Sequence, residues 1–132
     1  MQLSKNFTQE EFECKCGCDS FRISDELIDG LQQLRDLIAA PIHINSGYRC
    51  ESHNARVGGS KNSKHVLGIA ADITCSGINW NLLYHYAENI AIFRNGGIGV
   101  YPESNFIHLD TRKEHVRWAF IDGMYTSIFE AF

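Results

Sequence analysis

The chain has 132 residues, 44% of them hydrophobic and 21% charged, with a formal net charge of −4. That length supports a single core without disulfides. The acidic balance argues against a nucleic-acid-binding surface, and no apolar run approaches the roughly 20 residues that span a bilayer. The expectation is a monomer with no nucleic-acid partner and no membrane insertion.

Met1–Phe12 lacks the basic stretch and apolar core of a secretory leader, so cytoplasmic synthesis is the expected starting point. Asn6–Cys14 reads as a short helix, with Thr8 and Glu11 at capping-box spacing and Phe7 and Phe12 as anchors. It runs into Cys14-Lys15-Cys16-Gly17-Cys18. These cysteines are too close for a Cys-x-x-Cys metal knuckle, and five in all do not suit a secreted disulfide framework. Cys50 is placed to approach them; buried reduced thiols are the expectation, with a second metal or a redox role as the alternative.

A stronger helix is expected from Ser24 or Asp25 to about Ala40, with Leu27, Ile28, Leu31, Leu34, Leu37 and Ile38 at helical spacing and Pro41 as its stop. Ile42–Asn45 alternates as a strand, and Ser46-Gly47-Tyr48-Arg49 turns away from it. Glu51–Val57 reads as a short helix, and Gly68–Thr74 as a buried strand of small and β-branched residues. Asn79–Phe93 reads as a second long helix ended by Gly96-Gly97. Strands are expected over Ile98–Tyr101, Phe106–Asp110 and Val116–Phe120. Asp122-Gly123 is a hairpin signal that folds Met124–Phe129 back on the last of them. Together these predict an α+β fold, a mostly antiparallel sheet flanked by helices.

Asp72 and His108 interrupt apolar runs, and His65 lies seven residues before Asp72 with small or apolar residues between them. His65 and Asp72 lie in Ser63-Lys-His-Val-Leu-Gly-Ile-Ala-Ala-Asp72, and His108 lies between Ile107 and Leu109. A buried, unpaired carboxylate is costly, and a divalent ion would satisfy all three groups. Two imidazoles and a carboxylate suit zinc and leave a fourth position for water, whose pKa zinc lowers toward neutrality. Asp110, two residues beyond His108 on the same strand face, is the expected general base, with Glu103 as the weaker candidate. Arg49 is expected to hold a substrate carboxylate or a developing oxyanion; a structural salt bridge is its other reading. His43, His53, His85 and His115 are taken as ordinary histidines.

The motif Ser63-x-His65-x-x-Gly68-x-Ala70-x-Asp72 resembles the signature of the zinc D-Ala-D-Ala carboxypeptidases. That superfamily includes L-Ala-D-Glu endopeptidases of phage lysins, dipeptidases of vancomycin resistance and the hedgehog signalling domain. Ser46-Gly47-Tyr48-Arg49, Asn54 through Gly59, and Phe106-Ile107-His108-Leu109-Asp110-x-Arg112 resemble its phage-like branch, over roughly Phe7 to Trp118. The resemblance implies one zinc peptidase domain over residues 1–132, with Zn2+ on His65, Asp72 and His108. It implies that Ser63, Arg49 and Tyr48 face the substrate, with Arg49 and Asp110 catalytic. The implied substrate is a bacterial peptidoglycan peptide, cut next to D-residues by a D-Ala-D-Ala carboxypeptidase-like enzyme. An L-Ala-D-Glu endolysin of a phage or prophage, acting on the wall after release, is the alternative, and a catalytically weak zinc-containing binding module is another. Asn105 keeps the last reading open, because better-known members carry an acid three residues before the final histidine.

Overall fold

The computed structural model describes residues 1–18 and 20–132. Strands β1 (Gln2–Ser4) and β2 (Phe7–Thr8) form a small antiparallel pair at the N-terminus. The helix expected over Asn6–Cys14 shrinks to one 3-10 turn, Gln9–Glu11. The capping geometry is present, since the Thr8 backbone N–H donates to Glu11 Oε1 at 2.8 Å. Phe7 and Phe12 are both buried and meet edge-on, centroids 5.9 Å apart. They anchor the segment by packing, without a longer helix.

Helix α1 (Asp25–Ile38) starts where Ser24 Oγ accepts the Leu27 N–H at 3.2 Å, with Asp25 and Glu26 in the favoured first turn. It ends on Ala39 in the left-handed region, φ 56°. Leu27, Ile28, Leu31 and Leu34 are buried, whereas Leu37 is exposed, so the apolar stripe is narrower than its spacing suggests.

The remaining elements are β3 (Ile42–Ser46), α2 (Glu51–Arg56), β4 (Ala70–Cys75), α3 (Trp80–Ala87), α4 (Ala91–Arg94), β5 (Gly97–Tyr101), β6 (Phe106–Asp110), β7 (Val116–Ile121) and β8 (Met124–Thr126). The long helix expected over Asn79–Phe93 is broken. Ile90 is extended, φ −99° and ψ 112°, and the re-aimed chain brings both Ile90 and Phe93 into the core. Beyond the hairpin, only Met124–Thr126 pairs with β7; Ile128–Ala131 is a 3-10 turn.

Six strands form one sheet in the order β3-β4-β6-β5-β7-β8, antiparallel throughout except for the parallel β5/β7 pair. The α+β fold with a mostly antiparallel sheet is therefore the architecture. Helix α1 packs against α3 and α4, and α3 also touches β4, β5 and β6. Ala71, Ile73, Ile98, Val100, Ile107 and Leu109 supply sheet residues to the core. Alternation sends the intervening residues to the opposite face. Register then aligns Ser46, Asp72, His108, Gly99 and Trp118 in one row across five adjacent strands. Among the described residues, no helix is long and apolar enough to cross a membrane.

The break after α3 is tied down electrostatically. Glu88 accepts from Arg117 Nε at 3.0 Å and Nη2 at 2.7 Å, and from the Tyr84 hydroxyl. Burial alone would raise the Glu88 pKa, but the Arg117 and Tyr84 hydrogen bonds outweigh it and hold it below its ordinary value. A carboxyl depressed in the folded state stabilises above the unfolded carboxyl range and loses that contribution as pH falls through its folded pKa. Glu88→Gln should therefore cost about 1–2 kcal/mol near neutrality. Urea melts at about pH 7 and about pH 3 should show the parent–variant gap closing in acid; a gap of equal size at both would assign the loss to packing.

Candidate active site

The site is a consequence of register. Asp72 on β4 and His108 on β6 are direct cross-strand partners, so their side chains emerge together on the sheet face away from the helices. His65 enters from the turn before β4, where the Ser63 hydroxyl accepts its backbone N–H at 3.2 Å. All three side chains are buried, and their donor atoms lie within 4.8 Å of one another.

Each imidazole is oriented from behind. His65 Nδ1 lies 2.8 Å from the Gly47 carbonyl, which can only accept, so Nδ1 carries the hydrogen and Nε2 is turned inward. His108 Nε2 lies 2.8 Å from Asp110 Oδ2, which leaves Nδ1 turned inward. The inward atoms stand 3.2 Å (His65 Nε2) and 3.0 Å (His108 Nδ1) from Asp72 Oδ1. Three lone-pair-bearing atoms thus converge, which is favourable only around a cation, a proton or a metal. Donors in tetrahedral contact with one zinc stand roughly 3.3–3.5 Å apart, close to the observed spacing. Nitrogen and oxygen donors of this kind suit zinc, and the outer hydrogen bonds are those that fix metal-binding tautomers.

Burial would raise the Asp72 pKa, but the His65 and His108 imidazoles hold its carboxyl well below the usual carboxylate range. Burial would lower that of His108; its hydrogen bonds to Asp110 and Asp72 more than reverse this.

Asp110 does not stand over the metal position, contrary to the expectation that it is the base. It is fully buried on the far side of His108. Its two oxygens accept from Gly97 N at 3.0 Å, Arg112 N at 3.1 Å, Arg112 Nε at 2.9 Å and Arg112 Nη2 at 2.7 Å, besides meeting His108. Burial pushes its pKa up, but His108 and Arg112 hold it well below the carboxylate range. Both Asp110 oxygens are thus engaged, and Asp110 is not among the described residues that line the cleft. Glu103 and Asn105 are also turned away: Glu103 Oε1 accepts the Asp122 N–H at 2.7 Å, and Asn105 Oδ1 accepts the Trp80 N–H at 2.8 Å, at the start of α3.

Arg49 stands beside the Asp72 carboxylate. It lines the cleft with Nε on Ser46 Oγ (3.2 Å), Nη1 on Asn54 Oδ1 (3.3 Å) and Nη2 on Asp72 Oδ2 (3.5 Å). The guanidinium is held by a structural ion pair and keeps unused N–H donors. Ser63 also lines the cleft. Tyr48 does not. Its backbone N–H donates to the Phe12 carbonyl at 2.8 Å, and its hydroxyl is pushed up by burial and by the nearby Cys50 and Cys14, on the thiol side of the chain.

The cleft, about 510 Å³, brings in residues that sequence reasoning did not assign, among them Lys64, Tyr101, Tyr125 and Arg112. Burial pushes the Tyr101 hydroxyl well up, so it stays protonated near neutrality. Tyr125 was reachable in principle, since it sits two residues past the Asp122-Gly123 turn. Asn54 was quoted in a motif but given no task. It is buried, holds Arg49, and donates to the Ser60 carbonyl at 2.8 Å, which pins one cleft wall.

Trp118 braces the site from the β7 side. Its indole lies 5.0 Å from the His108 ring, centroid to centroid, and Arg112 Cζ lies 5.5 Å from the indole centroid. Trp118 does not line the cleft. The indole can lie flat because its β5 neighbour is Gly99; a Cβ there would run into it. Gly99→Ala should cost about 1–3 kcal/mol through overpacking and weaken zinc binding by tilting His108. Urea melts with and without metal check this, and a variant as stable as the parent would show that Trp118 has room to yield.

With this geometry in view, the family match is specific. The Peptidase M15 family matches residues 4–110, which contain His65, Asp72 and His108. The chain belongs to the peptidase M15 family. It is similar to the probable peptidoglycan L,D-endopeptidase MepK of Haemophilus influenzae, at 43% identity over 54% of this chain and 40% of that protein. It is 35% identical to the peptidoglycan L,D-endopeptidase MepK of Escherichia coli K12, over 67% of this chain and 51% of that protein. It is 33% identical to the zinc D-Ala-D-Ala carboxypeptidase of Streptomyces albus G, over 74% of this chain and 35% of that protein. The chain thus spans about half the length, or less, of the curated relatives it matches.

Proposed function

We propose that this chain is a zinc-dependent peptidase that hydrolyses peptidoglycan stem or cross-link peptides next to D-residues, and that residues 1–132 form one catalytic domain. The observation that carries the reading is the convergence of His65 Nε2, His108 Nδ1 and Asp72 Oδ1 in a cleft lined by Arg49, Lys64 and Arg112. His65, Asp72 and His108 hold the ion. Zinc bound there supplies a Lewis acid for the scissile carbonyl and lowers the pKa of a water. Arg49 offers its free N–H donors to the developing oxyanion or a substrate carboxylate. Tyr101, kept protonated, offers a further donor on the β5 side, and Ser63 and Lys64 lie along the rim. The chain is acidic overall, yet among the described residues lining the cleft the only carboxylate is Asp72. That local positive balance suits the carboxylates of a cell-wall peptide.

The bond cut is either D-Ala-D-Ala, as in a carboxypeptidase, or an internal L,D bond such as L-Ala-D-Glu. The L,D choice is supported by the two MepK relatives, both named as L,D-endopeptidases. An endolysin in a phage is one setting for that activity, and turbidity loss of isolated walls would follow it.

A second reading has its own observation. Asp110, Glu103 and Asn105 are all engaged elsewhere, so none presents a free base to the cleft. This supports a catalytically weak zinc-containing binding module. Zinc-loaded protein incubated with purified peptidoglycan and defined stem peptides, with mass detection, separates these outcomes. Free D-Ala means a carboxypeptidase and a new internal amine an endopeptidase. Peptide retained without product means a binding module.

A further inference from the structure

We propose that Cys14, Cys16, Cys18 and Cys50 bind a second zinc ion as a tetrathiolate site that fastens the N-terminal segment to the start of α2. Sequence spacing spoke against a knuckle, but the fold gathers all four sulfurs within 4.8 Å of one another. Cys14 Sγ lies 3.4 Å from Cys16 Sγ and 3.7 Å from Cys50 Sγ, and Cys16 Sγ lies 3.7 Å from Cys50 Sγ. These separations are far beyond the roughly 2.05 Å of a disulfide. They match the edge of a tetrahedron of thiolates about 2.3 Å from one zinc, which is roughly 3.8 Å. A set this tight encloses one ion and leaves no room for a multi-iron cluster.

Local backbone chemistry explains how a Cys-x-Cys-x-Cys run converges. In a strand, alternate side chains share a face but stand roughly 6–7 Å apart. Here the chain turns at Lys15-Cys16, and Gly17 takes the left-handed region, φ 83°, which a glycine adopts without steric cost. The sulfurs therefore curl inward. Cys50 arrives from the far side as the N-cap of α2. Four thiols lose four protons to a divalent ion, leaving a net charge of −2. Backbone donors offset part of it, with Cys50 N on Cys14 Sγ and His53 N on Cys50 Sγ, each at 3.4 Å. Cys75, the fifth cysteine, is buried elsewhere, with Ala40 O as its neighbour at 4.0 Å.

This site is separate from the His65, Asp72 and His108 set, but it borders the same cleft through the chain, since Cys50 follows Arg49. The ion therefore acts on position, holding the turn that carries Arg49.

The test uses the full chain carrying His65→Ala, which dismantles the other set, purified under reducing conditions. Metal analysis should find one zinc per chain in this variant and two in the parent. Cobalt loaded into it should show thiolate-to-cobalt charge-transfer absorption, and four thiols should resist alkylation until a strong chelator is added. Cys16→Ser/Cys18→Ser in the parent should lower the zinc count by one. If that double variant does not fold, the cobalt spectrum of His65→Ala decides. No metal in His65→Ala, freely alkylated thiols without chelator, iron in place of zinc, or a disulfide by mass would each overturn the proposal.

Discussion

His65→Ala should lower the zinc content by one ion per chain and reduce peptide hydrolysis by roughly 10³-fold or more, because the charge stabilisation a bound metal gives is worth several kcal/mol. The effect is large because nothing nearby can replace the lost donor. His108 and Asp72 remain, but two protein ligands do not make a closed tetrahedral site. Folding should survive, since outside the ligand set, where it meets Asp72 Oδ1 at 3.2 Å, the side chain makes one hydrogen bond, to Gly47 O, worth about 1 kcal/mol. Metal content, circular dichroism and the peptide assay on one preparation check all three parts. Unchanged zinc with lost turnover would remove His65 from the ligand set.

Asp110→Asn is the second large effect, and it separates two tasks for that residue. If Asp110 orients His108, the amide should weaken zinc binding by about 10–100-fold, the usual consequence of losing an outer carboxylate partner. It should also destabilise the fold by about 3–5 kcal/mol, because Arg112 and His108 both lose a buried counter-charge. An amide presents only one acceptor oxygen, where the carboxylate serves Gly97, Arg112 and His108 through two. A chelator competition titration gives the affinity and a urea melt the stability. A variant that binds zinc as tightly as the parent and loses only turnover would return Asp110 to acid–base work.

Much of this was open to sequence reasoning, for identifiable reasons. Alternation located β6 as Phe106–Asp110, interrupted apolar runs singled out Asp72 and His108, and His65 entered through the motif it shares with Asp72. Spacing cannot show depth, however. The i, i+2 rule correctly put Asp110 on the same face as His108, yet only the packed fold shows that it lies behind the ring, sealed by Arg112. Tyr48 illustrates the same limit in a loop, where no periodicity fixes direction. The break at Ile90 was hidden because apolar spacing continues across it; tertiary packing of Phe93 and the Glu88–Arg117 pair decide it. Gly97 and Gly99 read as a helix stop and an ordinary strand residue. Their meaning lies across the strands, where Asp110 and Trp118 occupy the space they leave.

The row that runs Ser46, Asp72, His108, Gly99, Trp118 has a consequence for assembly. A strand slipped by one residue presents its other face. Moving β6 by a single position against β4 would swing His108 into the greasy interior and bring Ile107 or Leu109 beside Asp72. No misaligned sheet can gather both imidazoles and the carboxylate. Metal uptake should therefore discriminate among partly folded chains, rewarding the correctly paired one by mass action, so that the chemistry of the cleft also proofreads the sheet beneath it.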